Sequence, residues 1–286
     1  MLVVPVVRPM TEDDVAATHE VMLAAFADLE RRLHLPPSPR PDAASAYVRL
    51  RRILATDPGG CWVAEAETEI VGAGLAIVRE GVWGLSLLVV RPDLQSAGIG
   101  RELLARALAY GDGAAGAIIV ASADPRALRA YARAGFALHP SLSATGAPRR
   151  MVGCADVRPF EPRDHELAAS VDRAVRGAAH GADLDALADG GCELLVLPGR
   201  GYAAHRHGSV KTIAARDDEA AGTLLRSVLA RIPPGGTAEV DWITGSQQWA
   251  VEVVVAARLA LRPSGAVALR GDVGSFRPYL PGGAYL

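Results

Sequence analysis

The chain has one lysine, Lys211, and no asparagine in 286 residues. Codons for both are AT-rich, so the bias points to a GC-rich bacterial genome. Cysteine is also scarce. Cys61, Cys154 and Cys192 lie far apart and form no CxxC pair, which argues against a zinc site and a disulfide framework. Each is expected to be a small buried apolar residue. An excess of charge of one sign is missing as well: a net charge of −2 at pH 7 leaves no basic footprint for nucleic acid. No apolar run is long and uncharged enough to cross a bilayer, and VEVVVAARLAL is both too short and too charged. The first residues, MLVVPVVRP, lack a basic segment and are broken by Pro5, so no signal peptide is expected. A soluble cytoplasmic protein without nucleic-acid, membrane or metal partners is the expectation. Oligomeric state is left open.

Hydrophobic residues make up 50% of the chain, enough for one large or two ordinary domains. The most informative stretch is LSLLVVRPDLQSAGIGRELLARALAY, residues 85–110. An apolar strand ends at Arg91-Pro92, because proline fixes φ and brings no ladder donor. A short loop with Gly98 and Gly100 follows, then a helix with Leu103, Leu104, Ala107 and Leu108 on one face. Small residues at a helix N-terminus expose unpaired N–H groups to a phosphate or pyrophosphate. A Rossmann dinucleotide loop needs a third glycine, and Leu103 occupies that position, although Asp124 stands near where a ribose-binding acid would be.

The run VVRPDLQSAGIGRELL resembles motif A of the GNAT superfamily of acyl-CoA-dependent N-acyltransferases, with Gln95, Gly98 and Gly100 at the fixed positions of its Gln/Arg-x-x-Gly-x-Gly/Ala loop. DPRALRAYARAGF, residues 124–136, is similar to the family's motif B, with Ala127, Tyr131, Gly135 and Phe136 recurring. Asp124 departs from it, since the family commonly has Asn there.

The chain then starts over. VVRPMTEDD at residues 6–14 is echoed by DVRPFEPRD at 156–164. In the first copy Thr11 reads as an N-cap with Glu12, Asp13 and Asp14 in the first turn. A helix near 42–55, strands at 61–66, 70–78 and 84–90, the loop helix, a strand at 116–122 and the motif B helix are expected to follow. The second copy should repeat this plan with ELLVLPG, GYAAHRH and SVKTIAA as strands, a helix at 218–231, a strand at 237–244, a helix at 247–260 and strand-like AVALRG. The expected fold is therefore mixed α/β (α+β): two tandem GNAT-like domains, 1–154 and 155–286, each a mostly antiparallel sheet flanked by helices. In the second domain Asp217, Asp218 and Glu219 replace the phosphate loop. A like-charge pair at 4 Å costs about 4 kcal/mol at an effective dielectric near 20, so this copy is expected to bind no coenzyme.

The resemblance implies an N-acetyltransferase in which an acceptor amine, here a small molecule, attacks the thioester of acetyl-CoA directly. It implies that Leu88, Val89 and Val90 hold the pantetheine arm. Residues Gln95, Ser96, Ala97, Gly98, Ile99 and Gly100 would bind the pyrophosphate, with Asp124 also at the cofactor and Tyr131 as the acid near the sulfur. An alkyl ammonium costs about 4.6 kcal/mol to deprotonate at pH 7. Three candidates for the base stay open: Glu80, a water held by Ser86, and the Leu286 carboxylate. A non-catalytic acyl-CoA-sensing module acting on a protein partner is the alternative reading. His205 and His207 share a strand face but suggest no third metal ligand, and a solvated hairpin end is expected there.

Overall fold

The structure is a computed structural model that describes residues 5–35, 43–283 and 285. It divides into two compact units, one within residues 1–78 and 83–114, the other within 79–82 and 115–286. That division does not coincide with the expected boundary at 154/155.

In the first unit, β1 (Val6–Pro9) pairs antiparallel with β2 (Cys61–Ala66), and β2 with β3 (Glu69–Arg79). Next to β3 lies β4 (Val82–Val90), giving the order β1-β2-β3-β4. The helices are α1 (Val15–Arg32), α2 (Ala43–Thr56) and α3 (Ile99–Tyr110). Burial of Val15, Thr18, His19, Met22 and Ala25 follows the i, i+3, i+4, i+7 stripe that faces α1 to a core. In α3 the buried face is Ile99, Leu103, Leu104 and Ala107. Its close seat depends on two glycines of β3: a Cβ at Gly72 would lie 3.0 Å from Leu103 Cδ1, and one at Gly74 would lie 3.3 Å from Leu103 Cβ. Trp83 donates from Nε1 to the Ala107 carbonyl at 2.8 Å and fixes the far end of the helix.

The second unit contains β5 (Gly116–Ala121), α4 (Pro125–Arg133), β6 (Ala137–Gly146), β7 (Arg158–Pro159), α5 (His165–Arg176) and α6 (Asp183–Asp189). It continues with β8 (Glu193–Leu197), β9 (Gly201–Arg206), β10 (Ser209–Ala215) and α7 (Asp218–Ala230). Last come β11 (Ala238–Thr244), α8 (Gln248–Ala256), β12 (Ala260–Gly271) and β13 (Tyr279–Leu280). Its strand order is β5-β12-β6-β11-β10-β9-β8-β7, with β13 on β10. Strand β12 pairs antiparallel with β5 (Val267↔Val120) and with β6 (Val267↔His139). Strand β6 in turn pairs with β11. Each sequence half thus places one strand inside the other half's part of the sheet. The contact between β10 and β11 is parallel.

The exchange explains where the sequence reading erred. Helix α8 stops at Ala256 rather than 260, and β12 begins at Ala260, because Leu261 to Leu269 must pair with β6. Tertiary pairing there outweighs helix propensity. Strand β6 carried no clear signal of its own.

The repeated Val-Arg-Pro segments build the same device twice. Arg8 donates from both terminal nitrogens to Asp14, each at 2.8 Å, and Asp14 also accepts from Thr11 N and Oγ1. Arg158 holds Asp164 at 2.7 and 2.8 Å, and Asp164 accepts from Glu161 N. Each arginine keeps its aspartate ionised, below the usual carboxylate range. Residues Glu12–Asp14 form a short 3-10 turn ahead of α1, so the regular helix starts later than Thr11 suggests. Among the described residues no helix is long and apolar enough to cross a membrane.

Residues 1–154 expressed alone keep β5 and β6 but lose β12 from between them and β11 from beside β6. Unpaired strand edges associate, so this fragment should elute as an aggregate in size-exclusion chromatography. Co-expression with 155–286 as a separate chain should return a defined two-chain complex. A monomeric, cooperatively folding 1–154 fragment would contradict the exchange.

Candidate active site

The loop after β4 is built around its own backbone. Gln95 turns back to donate from Nε2 to the Val90 carbonyl at 3.0 Å, which ties the loop to the strand end formed by Leu88, Val89 and Val90. Arg91 N donates to Val71 O at 2.8 Å, so that end stays in the sheet while the chain turns. Ser96 has φ 70° and Gly98 φ 91°, both left-handed. Glycine adopts that conformation without strain, and Gly98 is the N-cap of α3. The Gly98 carbonyl accepts from Arg101 N and Glu102 N, each at 3.1 Å. The N–H groups of residues 96–100 have no acceptor among the described residues. Ser96, Ala97 and Gly98 are exposed. No atom lies within 4 Å of a Cβ placed at Gly98, and at Gly100 only Val90 Cγ2 does, at 3.6 Å. The result is an open run of free donors at the positive end of a twelve-residue helix, the arrangement that receives phosphate oxygens.

In the second unit, Asp124 caps α4, accepting from Arg126 N at 2.9 Å and pairing with the Arg126 guanidinium at 2.9 Å. Its carboxylate therefore serves the helix. Tyr131 lies on the same helix with its ring buried, and its hydroxyl has no partner among the described residues. Burial raises the Tyr131 pKa, and the negative charge of Asp124 adds to the effect. The phenol therefore stays protonated, as a hydrogen-bond donor must. The end of α4 is held from β12, where Arg270 donates to the Ala134 carbonyl at 3.0 Å and stacks over Phe136 at 4.8 Å. The structure thus gathers residues 88–100 into one site and places Asp124 and Tyr131 on one helix.

Residues 23–136 match the model of the acetyltransferase (GNAT) family, a segment that includes both the loop and Tyr131. These residues belong to the GNAT acetyltransferase family. The fold of the whole chain is similar to that of a Pyrococcus horikoshii protein assigned as an acetyltransferase (TM-score 0.79, 19% identity, covering 98% of this chain and 95% of that one). It is also similar to a tandem GNAT protein from the clavulanic acid biosynthesis pathway (0.59, 16%, 94% and 98%). A third likeness is to a GCN5-related N-acetyltransferase from Sphaerobacter thermophilus (0.57, 16%, 93% and 95%). No curated protein matches the chain in sequence.

Outside the GNAT match, the counterpart of the loop is closed. Asp217 accepts from Ala220 N at 2.9 Å, so its carboxylate fills the N-terminus of α7. Arg200 binds Asp217 and Glu219, and Arg277 binds Asp218. The end of β10 is also taken: Ile213 and Ala214 pair with Leu280 and Tyr279 of β13.

The candidates for the base fare differently. Glu80 is committed: Arg173 donates to it at 2.9 and 2.7 Å and Ala179 N at 2.9 Å, and Arg173 above all keeps the carboxyl below its usual range, a poor base. The Ser86 hydroxyl is buried without a partner. Leu286 lies outside the described residues. His205 is buried rather than solvated, while His207 falls in an exposed turn, so the two do not share a face. Among the described residues no His, Cys, Asp and Glu group is gathered to hold a metal ion. Cys61 is buried and its thiol is pushed up to about 12. Sequence reasoning missed a buried network in which Asp172 accepts from Tyr202 OH at 2.7 Å and from His180 Nδ1 at 2.9 Å. Tyr279 OH lies 3.5 Å from His180 Nε2 in the same network, and these members are scattered over residues 172–279 with no shared spacing.

Burial raises the pKa of Tyr131, Tyr202 and Tyr279. Above the ordinary tyrosine pKa, about 10, the unfolded chain loses these protons while the folded chain keeps them. Stability is therefore intact below that pH and falls as pH rises beyond it. Ultraviolet titration should show these three phenols ionising only as circular dichroism reports unfolding, and Tyr131→Phe should remove one of them.

Proposed function

We propose that the chain is an acetyl-CoA-dependent N-acetyltransferase that acts on the amino group of a small molecule. The observation that carries this reading is the run of free N–H groups at residues 96–100, in a segment of the GNAT family. Main-chain groups of Leu88, Val89 and Val90 would hold the pantetheine arm, and residues 95–100 the pyrophosphate. Asp124, which caps α4, would also stand at the cofactor.

Tyr131 donates a hydrogen bond to the sulfur as it leaves. With its pKa raised by burial, it favours hydrogen-bond donation over full proton transfer to a thiolate of pKa about 8.5. Closure of the second copy by Asp217 and β13 supports a single cofactor site, in a first domain at 1–154 followed by a second, supporting one at 155–286.

Calorimetry with acetyl-CoA should find one site per chain, and none in Gly98→Glu, whose carboxylate would stand where phosphate is bound. Gly98→Ala carries the same backbone strain without the charge and should retain most of the affinity. Two equivalent sites, or unchanged binding in a folded Gly98→Glu chain, would refute this assignment.

Tyr131→Phe should lower kcat and kcat/KM together by up to about 10²-fold, the low end of general-acid effects, with acetyl-CoA affinity nearly unchanged. The measurement is thiol release over a panel of amines, amino acids, polyamines and aminoglycosides. Absence of turnover with every acceptor, together with intact acetyl-CoA binding, would favour a sensing module.

A further inference from the structure

The second unit contains a cavity that the reaction proposed above does not use. Lys211, the only lysine of the chain, lines it together with His180, Thr212, Gly282, Gly283 and Tyr285. Its closed part measures about 30 Å³, room for roughly two water-sized groups. The walls come from the segment after α5, from β10 and from the segment after β13. Lys211 stands there because β10 bulges. Val210 pairs with His205 and Thr212 with Ala204, so Lys211 is an extra residue with no partner on β9. A bulge of this kind re-aims a side chain.

The lining has more donors than acceptors. Lys211 Nζ donates to Ser209 Oγ at 2.8 Å, and that hydroxyl donates to Glu239 at 3.0 Å. Glu239 is thus reached only through Ser209, and Lys211 forms no direct ion pair with it or with Asp241. An ammonium carries three donors. The N–H groups of Gly282 and Gly283 have no acceptor among the described residues. Next to Tyr285, Arg176 is 2% exposed and gives its hydrogen bonds to the Ala178 and Tyr285 carbonyls, at 2.7 and 3.5 Å. Its Nε has no partner. Burying a cation without a paired carboxylate is unfavourable. His180 is held in place by Asp172, which accepts from its backbone N at 3.0 Å and from Nδ1 at 2.9 Å.

Close contacts demand glycine at both tail positions. A Cβ at Gly282 would lie 2.4 Å from the Lys211 carbonyl oxygen, and one at Gly283 would lie 3.0 Å from Trp242 Cη2. We propose that this cavity binds the carboxylate of a small organic acid, held by the Lys211 ammonium and the N–H groups of Gly282 and Gly283. Two carboxylate oxygens match the volume, and they accept charge-assisted hydrogen bonds from ammonium and backbone donors alike. A coenzyme or nucleotide is far too large for the space. A cationic ligand would meet the like charge of Lys211. The site is independent of the acetyltransferase reading, and no bond is made or broken in it.

The full chain carries its own reporter, because lysine-selective ¹³C labelling gives one side-chain signal. That signal is followed by NMR during titration with sodium propionate, with sodium chloride and n-propylammonium chloride at equal ionic strength as comparisons. The Lys211 Cε signal should move saturably with propionate alone. Burial holds the Lys211 pKa below its ordinary value. A bound carboxylate favours the charged form, so the pH titration of the same signal should move upward at saturating propionate. A signal that does not move saturably, or that moves equally with chloride, overturns the inference.

A variant supplies the second measurement. Lys211→Met keeps an unbranched apolar stem and removes the ammonium. Calorimetry should then find propionate bound about tenfold more weakly or not at all, the loss of one hydrogen bond from a charged donor. Unchanged propionate affinity in a Lys211→Met chain that circular dichroism shows to be folded overturns the inference. Should that variant fail to fold, the titration of the unmodified chain decides by itself.

Discussion

Strand β12 is the element on which the rest of the second unit depends. It lies between β5 and β6, hydrogen-bonded to both along most of its length. Residues Ile118 and Val120 of β5, Val267 and Leu269 of β12, and Val171 and Val175 of α5 therefore share one apolar cluster. The same strand supplies Arg270, which ends α4 by binding the Ala134 carbonyl and covering Phe136. The helix that carries Tyr131 is thus fixed by residues about 140 positions later in the chain. A core assembled from both sequence halves leaves little room for either half to fold by itself.

Two helix N-termini, each following a strand of the sheet, have opposite electrostatic outcomes. At α3 the backbone donors face solvent, and the cap is a glycine with nothing near its Cβ. At α7 the donors are met by Asp217, and the acids around it are balanced by Arg200 and Arg277. An internal carboxylate satisfies the helix dipole as well as a bound phosphate does, so α7 has no need of a ligand. What differs between the two loops is the identity of a few side chains.

Much of this was legible in the sequence. The strand ending at Arg91-Pro92, the loop to Gly100 and the face of α3 are local features, set by proline, glycine and a 3.6-residue period. The paired Val-Arg-Pro segments were visible as a repeat, although only the structure shows that Arg8–Asp14 and Arg158–Asp164 are what the repeat preserves. Glu80 read as a candidate base because its partner Arg173 is 93 residues away. His205 read as solvated because the burial of β9 depends on strands β8 and β10 on either side.

The sequence by itself determined the elements, the open anion loop and its acidic counterpart, since each rests on residues within a turn or two of one another. Tertiary structure alone decided the exchange of β6 and β12, the plug of β13 on β10, and the partners of Glu80 and of the Asp172 network. Strand order and burial are set by contacts distant in sequence, and no local period records which edge a strand will join.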